Sequence, residues 1–67
     1  MKLYNWSVEC LIHEAGKEPR KETVEVQAIN DERVARSAAV LKREAWPFVG
    51  SVIARKAYRR EFVKEFV

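Results

Sequence analysis

Several residue types are scarce in this chain, and each shortage excludes something. Cys10 is the only cysteine, so no internal disulfide can form and packing alone must hold the fold, as expected of a reducing compartment. His13 is the only histidine. With Cys10 it forms a C-x-x-H spacing that is half of a metal site at most, and positions three apart on a strand point to opposite faces. We therefore read Cys10 as a small buried apolar residue and His13 as an exposed strand-end polar one. Gly16 and Gly50, the two glycines, lie far apart and form no phosphate-cradling loop. The longest run without a charge, Ala45 to Ala54, contains Pro47 and is about half the length of a membrane helix. Only a short stretch separates Lys2 from Glu9, which leaves no room for an apolar signal-peptide core, so the expected compartment is the cytoplasm.

Catalytic machinery is also missing. A nucleophile needs a base and a group to orient that base, and the one histidine sits near the end of a predicted hairpin. Ser7 shares a strand face with Glu9 and His13, an arrangement ordinary for a solvated surface. The expectation is a protein that is not an enzyme and carries neither metal nor cofactor.

What the chain does have is apolar residues and charge in close alternation. Its 67 residues are 48% hydrophobic and 34% charged, enough of the first to fold and enough of the second to coat one small domain spanning 1–67. A chain this short buries too little surface to be more than marginally stable alone, which favours association, here a homodimer. Lys and Arg number 13 against 10 Asp and Glu, giving +3 and a pI near 9.3, a tilt toward polyanionic partners such as DNA or RNA.

From Tyr4 to Ile12 the pattern has period two: Tyr4, Trp6, Val8, Cys10 and Ile12 share one face, Asn5, Ser7, Glu9 and His13 the other. Leu3 and Leu11 fall on the polar face, so some of it is open to cover by a partner or a terminus. Gly16 and Pro19 among charges mark Glu14 to Lys21 as a hairpin connection. A second strand follows, with Val24, Val26 and Ala28 on its apolar face.

Asn30 stands where an N-cap belongs, with Asp31 and Glu32 in the first turn and Lys42 and Arg43 in the last. Between Asn30 and Ala45, the spacing of Val34, Ala38, Leu41 and Ala45 predicts a helix with these residues against the sheet. Pro47 ends it at Trp46 or one residue earlier. The opposite side would carry Arg33, Arg36, Val40 and Arg43 outward, a stripe able to neutralise phosphates or, with Glu32 pairing Arg36, simply a solvated face.

Phe48 to Ala54 reads as a third strand. Beyond it Tyr58, Phe62 and Phe66 recur every four residues, which suits a short helix but also one face of a long strand; without a cap or turn signal, the long strand is preferred. Extended, the segment sends Lys56, Tyr58 and Arg60 one way and Arg55 and Arg59 the other. Basic residues around an aromatic suit single-stranded nucleic acid, and equally a charged edge strand guarded against aggregation. Phe62, Val63, Phe66 and Val67 either complete the core or form an interface with another chain.

The reading is α+β: a small ββαβ domain, an antiparallel sheet with one helix on one face, and a C-terminal segment that is a long strand or a short helix. The expected role is non-catalytic binding. A basic nucleic-acid-binding or regulatory module would use Arg33, Arg36, Arg43, Arg55, Lys56, Tyr58, Arg59 and Arg60. The alternative is a protein–protein interaction module, an inhibitor or adaptor, using the apolar tail or a sheet edge.

Overall fold

Alternation fixes which side of each strand is dry, and three strands with matching dry sides require one cover. The computed structural model, which describes residues 1–67, supplies it in the order β1 (Lys2–Glu14), β2 (Arg20–Ile29), α1 (Glu32–Arg43) and β3 (Gly50–Glu65). The sheet is antiparallel throughout, with β1 central and the order β2-β1-β3. The chain is thus a ββαβ domain, and its C-terminal segment is a strand continuous with the third. No helix is long and apolar enough to cross a membrane.

Between β1 and β2 the chain turns at Gly16, whose φ of 79° suits a residue without a Cβ, and Lys17 N–H donates to Glu14 C=O at 3.0 Å. Register then aligns the dry faces: Val8 opposes Val24, Tyr4 opposes Ala28, and Ile12 opposes both Arg20 and Val52 on either side. Trp6, Val8, Cys10 and Ile12 are buried on this face as the alternation requires, together with Val24, Ala28 and Val52. Trp6 satisfies its indole N–H on Ala28 C=O at 3.3 Å.

The helix forms where expected but sits differently in three respects. Its N-cap is Asp31, not Asn30: Asp31 is extended and its carboxylate accepts from Arg33 N–H at 2.9 Å. Its last residue is Arg43, one turn before Pro47. And it is rolled by about one residue, roughly 100°, so that Ala35 and Ala39 face the sheet. Val34 is 41% and Leu41 74% exposed, Ala45 is exposed and Ala38 only half-buried. The physical reason is space. Trp6, Val8 and Ile12 already fill the dry face of the central strand, and the two alanines let the helix backbone approach that surface closely.

The roll also turns the arginine stripe. Arg36 and Arg43 lie on the flank of the helix, half-buried, and Val40 packs at the margin of the core. Only Arg33 points outward into solvent, with its side chain 84% exposed.

The last turn of the helix reaches both borders of the sheet. Lys42 Nζ donates to the carbonyl of Glu25 on β2, while the Glu44 carboxylate accepts from Val52 N–H on β3 at 3.2 Å. At the far end Met1 and Phe66 exchange backbone hydrogen bonds of 2.8 and 2.9 Å, so β3 stays tied to β1 past its last residue.

Candidate nucleic-acid interface

One face of the sheet carries the helix and the other carries nothing. The uncovered face is formed by the odd-numbered residues of β1, flanked by Lys21, Thr23, Glu25 and Gln27 of β2 and by Ser51, Ile53, Lys56 and Tyr58 of β3. The strand reading separates Lys56, Tyr58 and Arg60 from Arg55 and Arg59 by parity, and register bears this out at three positions: Lys56 opposes Glu9 and Tyr58 opposes Ser7 on the open face, while Arg59 opposes Trp6 on the helix face.

Arg55 departs from simple alternation. Cys10 pairs with Ala54 and Glu9 with Lys56, so Arg55 is the extra residue of a β-bulge. It lines a hollow on the open face with Lys56, Lys21, Glu9 and Leu11. The bulge therefore adds a cation to this side.

Next along the face, Arg60 Nε donates to Ser7 Oγ at 3.0 Å, and Ser7 Oγ donates to the Glu25 carboxylate at 2.8 Å. These contacts bury Ser7. The Arg60 guanidinium also lies 5.7 Å from the centroid of the half-exposed Tyr58 ring. Asn5, Gln27 and Glu61 complete the adjoining hollow, with Asn5 Nδ2 donating to Glu61 at 3.4 Å. The serine is thus a structural bridge between an arginine and a carboxylate; His13 is exposed, several residues along β1 from it.

The other predicted contact residues are elsewhere. Arg59 sits over the Tyr4 ring at 5.0 Å and donates to Asn30 Oδ1 at 3.1 Å, on the helix side. Arg36 pairs with Glu32, as their spacing of four implies, and Arg33 lies 3.9 Å from Asp31. Arg43 is the most committed: it pairs with Glu22 at 2.9 Å, approaches Glu14 at 3.7 Å and covers the Phe48 ring at 4.9 Å. Its hydrogen bond, followed by that of Arg20, holds the Glu22 carboxyl below its ordinary range, while at Glu14 the hydrogen bonds of Arg20 and then Lys17 do the same. Arg43 is itself pushed further toward its charged form by Glu22. Burial, then Glu22, raises the Cys10 thiol, leaving it protonated within the core.

Ion pairing therefore divides the two basic clusters. Arg33, Arg36 and Arg43 on the helix are each paired with a carboxylate, whereas Arg55, Lys56, Arg59 and Arg60 on β3 enter no ion pair, nor does Lys21. Lys21 was missed in the sequence, although its alternation with Thr23 and Glu25 places it on the outward side of β2. Asn5 and Glu61 gave no comparable signal, because only the register brings them together.

Phe62 is 54% exposed at the rim of the helix side, edge-on to Tyr4 with ring centroids 5.7 Å apart. Val63, Phe66 and Val67 are exposed as well, so this tail does not complete the core. No group of three or more His, Cys, Asp and Glu residues is placed to hold a metal ion. Comparison with protein families, curated proteins and solved structures returns no match to this chain.

Proposed function

We propose that the chain is a non-catalytic module that binds single-stranded nucleic acid across the open face of its sheet. The observation that carries this reading is the set of cations without carboxylate partners on one face, Lys21, Arg55, Lys56 and Arg60, with the exposed ring of Tyr58 beside Arg60. A base stacked on Tyr58 would leave its phosphates within reach of the lysines, and a guanidinium beside the ring adds to the stack. Glu9 lies in the same hollow as Lys21, Arg55 and Lys56 and would narrow the path open to an anionic backbone. Buried Cys10 agrees with work in a reducing compartment such as the cytoplasm.

The test is fluorescence anisotropy with a labelled mixed-sequence DNA or RNA oligonucleotide at rising salt. About three phosphate contacts predict a log–log slope near −2 for a single strand. Lys56→Glu with Arg60→Glu abolishes binding, while Arg33→Glu leaves it within about twofold, because Arg33 lies off the face. Absence of binding at low salt, or binding indifferent to salt, overturns the proposal.

A second reading, a protein-interaction module, draws on the exposed Phe62, Val63, Phe66 and Val67. It predicts a protein complex lost when Phe62 and Phe66 become Ser.

A further inference from the structure

On the outer edge of β3, the one backbone group taken by a side chain lies at its start, where Glu44 accepts from Val52 N–H. No other element pairs with this edge along the rest of the strand. Such an edge is a template for another strand. What fits it is written in the strand's own pattern. Reading Glu61, Phe62, Val63, Lys64 backwards exchanges acid for base and apolar for apolar.

Two bulges place these side chains correctly for such a match. Trp6 opposes Arg59 and Tyr4 opposes Phe62, so Arg60 and Glu61 together span Asn5, and both bond open-face groups of β1: Arg60 to Ser7, Glu61 to Asn5. Leu3 opposes Lys64, so Phe62 and Val63 together oppose Tyr4, and Lys64 returns to the open face with Glu61. Residues that meet across an antiparallel pair must share a face. In an unbulged strand Glu61 and Lys64, three apart, would not. Here they do, and so do Phe62 and Val63.

We infer that β3 pairs with β3 of a second copy of this chain, antiparallel, about a twofold axis between Phe62 and Val63. Glu61 of each copy then faces Lys64 of the other on the open side, and Phe62 of each faces Val63 of the other on the helix side. Each contact occurs twice, as an isologous interface requires. The two sheets join through their β3 edges, and the exposed apolar tail gains a cover. This goes beyond nucleic-acid binding and does not depend on it.

The test is sedimentation equilibrium of the free protein, without nucleic acid. The wild-type chain shifts from 7.8 kDa toward twice that mass as concentration rises from about 10 μM to about 1 mM. Glu61→Lys alone sets Lys against Lys64, and Lys64→Glu alone sets Glu against Glu61. Each weakens dimerisation about tenfold, since cross-strand charge pairs turn from favourable to unfavourable at two places. The double variant E61K/K64E restores it to within about threefold. Mixing F62C and V63C chains under oxidation yields a crosslinked heterodimer, a readout that needs no surface charge. A monomer at every concentration, single charge variants that dimerise like wild type, or a double variant that stays weakened overturns the inference. Oligonucleotide binding by a strictly monomeric chain would leave the proposed function standing and remove only this one.

Discussion

Gly50 has a role that no propensity scale assigns. It begins β3 with φ of 153° opposite Glu14, and a Cβ there would stand 2.0 Å from the carbonyl oxygen of His13. That neighbour is backbone and cannot rotate away. Gly50→Ala is expected to cost about 2 kcal/mol or more, from strain and displacement of the β1–β3 pairing, read as a lower melting temperature. The Glu14, Arg20, Glu22 and Arg43 network makes a second residue-scale prediction. Glu14 and Glu22 have carboxyls held below their ordinary value of 4.5. A depressed carboxyl contributes stability fully above its unfolded value, and that contribution is lost as pH falls through its folded value. Thermal melts should therefore be flat from neutral pH to about 5 and fall below that range, and Arg43→Gln should shrink the fall by freeing Glu22. Little of this network could be read in advance: Arg43 and Glu22 are far apart in the chain, and nothing local links them. Glu32 with Arg36, four apart on a helix, was legible for the opposite reason.

Elements were legible where their pattern depends on their own residues. Alternation from Tyr4 to Ile12 identified the dry side of β1 because a strand's two faces follow from its backbone, and the absence of a turn signal after Ala54 matched an unbroken β3. The rotational setting of α1 was not legible, since it depends on the shape beneath it. Val34 and Leu41 made the larger apolar stripe, but Trp6 and Ile12 left room for Ala35 and Ala39 instead. This gives opposite expectations for neighbouring positions. Ala39→Leu overpacks a fully buried site and should cost about 1–3 kcal/mol. Leu41→Ser, at a residue 74% exposed, should change stability by no more than about 0.5 kcal/mol in the same denaturant titration. Bulges were equally invisible, because an extra residue in β3 exists only relative to β1. They matter most for the candidate site, bringing Arg55 to the open face and setting Glu61 and Lys64 on the same side.

At the scale of the whole molecule the domain is long and narrow, 44 × 20 × 15 Å, with the helix on one side of the sheet and Lys21, Arg55, Lys56 and Arg60 on the other. Twofold pairing through β3 would put two rows of Lys56, Tyr58 and Arg60 on one continuous surface. An oligonucleotide long enough to reach both rows should then bind more tightly than one that reaches a single row, by effective concentration alone. Glu61→Lys should remove that gain, so that the long oligonucleotide binds no more tightly than the short one, as anisotropy would show. The two side chains leaving the end of α1 bear on a different hazard. Lys42 occupies a carbonyl on the border of β2, and Glu44 an amide at the beginning of β3. A strand arriving from solution therefore finds one seam open and the opposite margin obstructed, so growth that starts there terminates after a single addition, and a concentrated stock of this protein should stay clear of fibres.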